Sequence, residues 1–175
     1  MAKVSGGTRV LKRGSREYNK RKEEVYQMQK SGKYSSVKMT DRGGYVAIEK
    51  SRAKHKAEEI EAAEILANKG YKVILKDEAG DVRTPDGYLF KVSFEQRTPQ
   101  GDGFKNVNNC LKHARDKRVE ISVIYDKYHK YHRKDIEKGL QYYESISGYR
   151  FKEIIVIAQD GKIYKHEHNN QKRRS

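Results

Sequence analysis

The chain has 175 residues, with 39 Lys and Arg against 24 Asp and Glu, a formal charge of +15, and a mean hydropathy of −1.06. That length holds one core with room for an arm, and no apolar run approaches the roughly 20 residues of a membrane span. Residues 1–10 lack the apolar stretch of a secretory signal, and the single cysteine, Cys110, excludes a disulfide framework or a cysteine-based zinc cluster.

The charge is unevenly placed. Residues 1–52 carry 14 basic and 5 acidic side chains, residues 53–168 carry 22 and 19, and residues 169–175 add Lys172, Arg173 and Arg174. This reads as a basic arm (1–52), a nearly balanced domain (53–168) and a basic tail (169–175). Clustered cations gather polyanions, of which nucleic acid is the commonest. The plainer alternative is a solubilising terminus.

Within the arm, Ser15 is placed to cap a helix over residues 17–29, ended by Ser31-Gly32, and residues 43–49 read as a turn entering a short strand. The strongest helix covers residues 54–69, where Ile60, Ala63, Leu66 and Ala67 form an apolar face and Gly70 follows. A strand at 71–75, a turn around Gly80, and strands at 87–90 and 92–95 come next. A loop at 98–103 leads to a helix at 106–117. Residues 119–125 form a buried strand, 133–143 a helix, 151–158 the most apolar strand, and 162–167 a last strand after the Asp160-Gly161 turn. Short strand–strand links call for antiparallel pairs and the helical crossovers allow parallel ones. The expected fold is α+β: a single mixed, mainly antiparallel sheet with helices packed mainly on one face.

The densest reactive cluster is Asp86 with Glu95 and Arg97. Strand alternation puts Glu95 and Arg97 on one face, and two acids beside a guanidinium can work on one phosphate. A cross-strand ion pair on a solvated face is the alternative. Residues 126–135 alternate cations with rings. There Lys127, Tyr128, Lys130 and Arg133 are candidates for nucleic-acid binding, and His129 and His132 are candidate acid–base groups. Asn106 and Asn109 open a helix whose N-terminus can meet a phosphate or a base, although Asn106 also fits a simple N-cap. His166 and His168 alternate near the end of the chain and read as surface residues. Cys110, on an apolar face, reads as core.

Glu59-Ile60-Glu61, Leu66-Ala67, Gly70-Tyr71, Pro85-Asp86, Phe94-Glu95-Gln96-Arg97, Asn106-Val107, Val123-Ile124-Tyr125-Asp126, Lys152 to Ile157 and Asp160-Gly161 follow in a familiar order. Over residues 56–165 the chain resembles the C-terminal tRNA nuclease domain of contact-dependent inhibition toxins of the CdiA type. Related domains end some phage head-morphogenesis proteins. The resemblance implies a compact α+β nuclease of the barnase/EndoU/colicin/RelE-like group. It would cleave RNA, above all tRNA, through the 2′-OH and without a cofactor, with Asp86, Glu95, Arg97, Asn106 and Asp126 at recurring positions. Arg97 stands where the family usually has Lys. An arginine stabilises charge but donates a proton poorly, which leaves the acid role to His129 or His132.

Asp86 with Glu95-Gln96-Arg97 also resembles the PD-(D/E)xK nuclease signature, with Arg for Lys. That grouping implies Mg²⁺ held by Asp86 and Glu95, with Glu58 or Glu61 joining. The third alternative is a non-catalytic, basic nucleic-acid-binding or phage-associated protein. An intracellular toxin nuclease further implies an acidic immunity partner. The scarcity of cysteine and the missing signal fit a cytoplasmic site of action, with the domain free-standing or delivered from a larger protein or phage.

Overall fold

The computed structural model describes residues 10–51, 54–77 and 84–168. The elements run α1 (Arg16–Lys30), β1 (Tyr34–Met39), β2 (Tyr45–Glu49), α2 (Ala57–Ala67), β3 (Lys72–Leu75), β4 (Gly87–Leu89), β5 (Val92–Arg97), α3 (Phe104–Asp116), β6 (Ile121–Asp126), α4 (Arg133–Ile146), β7 (Glu153–Ala158) and β8 (Ile163–His166). The expected turn around Gly80 and the basic tail 169–175 lie outside the described residues.

All these strands join one sheet in the order β1-β2-β3-β4-β5-β6-β7-β8. The pairs β1–β2, β3–β4, β4–β5 and β7–β8 are antiparallel. The pairs β2–β3, β5–β6 and β6–β7 are parallel. Each parallel pair is the one whose connection contains a helix, because a parallel neighbour needs a crossover while a hairpin turn suffices for an antiparallel one. The fold is therefore the expected α+β class with a mixed sheet, four of whose seven pairings are antiparallel.

Strand alternation divides the core in two. Val46, Val73, Leu75, Leu89, Phe94, Val123 and Ile155 point to one face, which Ala62, Ala63, Leu66 and Ala67 of α2 close. Ile124, Ile154 and Val156 point the other way, under Val107, Cys110, Leu111 and Ala114 of α3 and Ile136 and Tyr143 of α4. Tyr45 and Ala47, on that same second face, pack with Val25 of α1. Three helices thus share one face and α2 alone covers the other. The small residues of α2 let its backbone lie close to the sheet.

The basic segment at the start of the chain is not wholly an arm. Its helix forms as expected, and Ser15 Oγ accepts from Tyr18 N at 3.2 Å. Strands β1 and β2, however, extend the sheet from β3. Arg21 donates to Gly43 O at 2.7 Å, Lys72 reaches Glu24 at 2.8 Å, and Thr40 Oγ1 donates to Ala67 O at 2.9 Å. Strand β1 gives little sign of itself in sequence, since Val37 is the one buried side chain of Tyr34–Met39. No helix among the described residues is long and apolar enough to cross a membrane.

Helices α3 and α4 meet at Gly139. A Cβ there would lie 2.6 Å from Val107 Cβ and 2.8 Å from Phe104 O. In a free helix, Gly to Ala stabilises by about 1 kcal/mol. At this contact the sign reverses: Gly139→Ala is expected to lower unfolding stability by about 1–3 kcal/mol through overpacking, measured as a fall in the urea midpoint.

Candidate active site

Strands β4 and β5 are joined by the two-residue turn Phe90-Lys91, with φ of 46° and 67°. This left-handed pair is the backbone that a tight hairpin demands. Its register sets Gly87 opposite Phe94 and so brings Asp86 beside Glu95. Gly87 is required by close approach: a Cβ there would meet Ile74 O at 1.8 Å.

Both acids are buried, with Asp86 4% and Glu95 3% exposed. Asp86 Oδ2 accepts from Gln96 N at 2.7 Å. Its Oδ1 faces Lys117 Nζ at 3.5 Å, and the same ammonium lies 2.9 Å from Glu95 Oε2. Arg97 Nε is 3.8 Å from Glu95 Oε1, and an Arg97 Nη pairs with His113 Nδ1 at 2.9 Å. Residues 113 and 117 are one helical turn apart, while 95 and 97 are one strand repeat apart. Helix α3 along β5 therefore lays His113 on Arg97 and Lys117 on Glu95.

Burial, and then the Arg97 charge, hold His113 below its ordinary pKa. Its ring is neutral at pH 7, and Nδ1 can accept from the guanidinium. Burial first, and the Asp86 charge second, push Glu95 up to about 7 against the pull of Lys117. Two carboxylates this close cannot both ionise freely.

The group opens into a cleft of about 310 Å³, lined also by Lys56, Glu58, Glu59, Thr98 and Gln100. Glu58 and Glu59 come from the first turn of α2, and Glu59 is tied to His55 at 3.0 Å. The cleft thus has buried acids at its base and cations on both sides. Such an arrangement can stabilise the charge of a reacting phosphate and move a proton beside it.

The donor set can be weighed for magnesium. Glu95 Oε2 is buried and ion-paired but makes no oriented hydrogen bond. One oxygen of each acid converges on the point that the Lys117 ammonium fills. One or two carboxylates plus substrate phosphate oxygens make the usual magnesium set. No cluster of three or more His, Cys, Asp or Glu arranged as ligands occurs among the described residues. The residues fit the ion only as a carboxylate pair completed by substrate.

Of the residues singled out from sequence, Asp86, Glu95, Arg97 and Glu58 come together. His129 and His132 do not line the cleft. His132 begins α4, where its side chain accepts from the backbone of Asp135 and its own N–H donates to Asp135 at 3.0 Å. His129, with φ 52°, belongs to a separate cavity. Asp126 spends both oxygens on Lys130 N and Tyr131 N, at 2.9 and 3.4 Å. Lys127 pairs with Glu61 at 2.9 Å, which also takes Glu61 out of the cleft. Tyr128 and Lys130 are exposed, as is Arg133 beside Glu137. Asn106 is not the N-cap. That position is Gly103, and Asn106 donates to Asp102 O at 2.5 Å. Asn109 is exposed on α3. Cys110 is core, its thiol pushed up to about 12 by burial. His166 and His168 are buried rather than on the surface. His168 accepts from Phe151 N at 3.0 Å and pairs with Glu144 at 2.9 Å.

Lys117 and, beside Arg97, His113 are the members that sequence reasoning missed. Their only local signal is that they lie one turn apart at the end of a helix.

No family model and no curated protein matches the chain. Among solved structures, it is similar to a chain of the CdiA-CT/CdiI toxin and immunity complex from Burkholderia pseudomallei. The TM-score is 0.50 and the identity 20%, with 66% of this chain and 91% of that chain covered. At that identity the likeness is one of fold.

The Glu95 shift has a consequence for stability. Its ordinary value is 4.5. Between about pH 4.5 and 7 the folded protein keeps this proton while the unfolded chain releases it, so stability falls as pH rises through that window. Glu95→Gln removes the titration. The variant is expected to gain on the parent between pH 5 and pH 8, by about 3 kcal/mol at most, read from urea denaturation at both values.

Proposed function

We propose that the chain is a toxin-type nuclease that cleaves a phosphodiester in the cleft of Asp86, Glu95, Arg97 and Lys117. The observation that carries this is the pair of buried acids bridged by one ammonium, with a guanidinium beside them, at the base of an open cleft. A structural ion pair needs neither a second buried acid nor an opening onto solvent. The fold likeness to a chain of a toxin and immunity complex, and the resemblance over residues 56–165, support the toxin-type reading. RNA is the proposed polymer. The excess of cations supports a polyanionic substrate, and an acidic protein that covers the site is the proposed immunity partner.

Of the two chemistries left open by the sequence, the metal-assisted one is favoured. The imidazoles that the metal-free route would use as acids lie outside the cleft, whereas Asp86 and Glu95 converge on one point. Magnesium held by Asp86 and Glu95 would take the point between them from the Lys117 ammonium and would supply Lewis-acid stabilisation of the charge that builds on the phosphate. Asp86, locked by Gln96 N, orients the site. Lys117 and Arg97 stabilise the charge on the non-bridging oxygens, and His113 holds Arg97 in place. As the oxygen of water bonds to phosphorus it gives up a proton to solvent, and the bond to the leaving sugar oxygen breaks as that oxygen takes up a proton from solvent. A second reading, metal-free transesterification through the 2′-OH, is favoured by one observation: Lys117 already supplies positive charge between the acids.

Incubation with RNA, and separately with DNA, tests these readings. Cleavage lost in EDTA and restored by magnesium is the expected result. Cleavage of RNA alone that survives EDTA selects the second reading. Salt-sensitive binding without cleavage overturns both and leaves a nucleic-acid-binding protein. Glu95→Gln and Arg97→Ala are each expected to lower kcat by about 10² or more, with nucleic-acid affinity nearly unchanged, as measured by filter binding and single-turnover cleavage.

A further inference from the structure

A second cavity, of about 350 Å³, opens on the face of the sheet that carries α4. Its walls are mostly apolar: Ile136 of α4, Val156 and Ala158 of β7, and the ring of Tyr164 on β8. His166 projects into it from the end of β8. That residue is only 6% exposed, yet its imidazole has no hydrogen-bond partner among the described residues. Its ring nitrogens are not sealed in the core but open onto the cavity, where a ligand can meet them. Burial holds this imidazole below its ordinary pKa, so at pH 7 it offers one donor and one acceptor nitrogen. Arg133 stands at the rim in the first turn of α4. Its Nε pairs with Glu137 at 2.9 Å, and its side chain is mainly exposed.

The chemistry called for is a flat, largely apolar ring with hydrogen-bonding edges, attached to an anion. A nucleobase with its phosphate has these properties. Volume agrees, because 350 Å³ lies at the small end of the range of about 300–1,000 Å³ for ligand sites. The carboxylate in the cavity, Asp126, is already satisfied by Lys130 N and Tyr131 N.

The cavity is also placed to serve the cleft. Glu95 is in register with Ser122, Ser122 with Ile154, and Ile154 with His166. Both side chains therefore lie on one face in one row, three strand spacings or about 14 Å apart. The two residues between them in that row, Ser122 and Ile154, are buried, Ile154 beneath α3 and α4, so a bound strand would pass from cleft to cavity around the start of α3, by Gln100 and Tyr131, and span more than the direct distance. Tyr131 lines the cavity, and its hydroxyl donates to Gly101 O, the neighbour of Gln100 in the cleft.

We propose that this cavity receives an unstacked nucleobase of the bound strand, read by His166, with Arg133 on the adjoining phosphate. The proposal rests on the nuclease reading for its purpose but not for its binding chemistry, and the experiment separates the two. The full chain carrying Glu95→Gln is titrated with AMP, GMP, CMP and UMP, with the matching nucleosides, and with inorganic phosphate, while the histidine ring protons are followed by NMR.

At least one nucleotide should shift the His129 and His166 signals. His166→Ala should weaken that nucleotide tenfold or more. Arg133→Ala, at an exposed position that leaves the fold intact, should weaken the nucleotide but not the nucleoside. In the cleavage-competent parent background, each change should raise KM for an oligonucleotide several-fold, with the loss carried by KM. Circular dichroism confirms that His166→Ala stays folded; if it does not, Arg133→Ala and the nucleoside titration decide alone. Nucleotide affinities unchanged by Arg133→Ala, shifts mapping elsewhere, or phosphate alone binding as well as the nucleotide would overturn the proposal. If the parent cleaves neither RNA nor DNA yet nucleotides still occupy the cavity, the nuclease reading falls and the base site stands. If the parent cleaves and the cavity stays empty, the reverse holds.

Discussion

Two carboxylates buried side by side are the constraint around which the rest of this domain is arranged. Asp86 and Glu95 are almost fully removed from water, and each ionised carboxylate in such a place costs several kcal/mol unless compensated. The fold compensates with a backbone N–H from Gln96, the ammonium of Lys117 and the guanidinium of Arg97. The compensation is incomplete, because Glu95 keeps its proton up to about pH 7. A protein selected for stability alone would more readily fill that space with apolar side chains. Two acids retained at the base of an open cleft are the feature on which the proposed nuclease reading rests.

How much of this was legible in the sequence depends on whether the information was local. Asp86, Glu95 and Arg97 lie within twelve residues on a hairpin, and strand alternation with a tight turn is enough to bring them together. Lys117 lies beyond the loop 98–103 and a whole helix. Its arrival depends on the rotation and tilt of α3 over β5, which no local pattern encodes. Proximity in sequence also misled. Residues 126–133 leave the sheet at the same end as Thr98 and Gln100, since β6 is parallel to β5, but they turn toward β7 and β8, where His129 lines the second cavity rather than the cleft. His132 is consumed there as a helix cap. His166 looked superficial because alternation with His168 says only that the two share a face, and the packing of α4 turned that face inward.

The beginning of the chain shows a related limit. Its charge was visible, and the charge suggested an arm. Yet Arg21, Glu24 and Lys72 form a bridge between α1 and the sheet, with Tyr45 Oη donating to Glu24 at 3.2 Å. Charged residues that staple an amphipathic helix onto a sheet edge look, in sequence, like charged residues that reach for a polyanion. Strand β1, with one buried residue, is held mainly by its backbone ladder to β2 rather than by apolar content. This edge is therefore stabilised by hydrogen bonds and ion pairs, where the two central clusters rely on burial.

Helix α3 connects core to chemistry. Its first turn and the loop before it meet Tyr131, whose hydroxyl bonds Gly101 O, while its last two turns place His113 and Lys117 on Arg97 and Glu95. What fixes the position of α3 along the sheet is its contact with α4, where Gly139 permits Val107 and the carbonyl of Phe104 to approach within a distance no side chain allows. A slip of one helical turn is about 5.4 Å, which is far more than the 2.9 Å between Lys117 and Glu95 can tolerate. The missing side chain at position 139, some twenty residues from the ammonium it helps to place, thus acts on the site through packing alone. The electrostatics of the cleft are as much a property of the α3–α4 interface as of the hairpin that carries the acids.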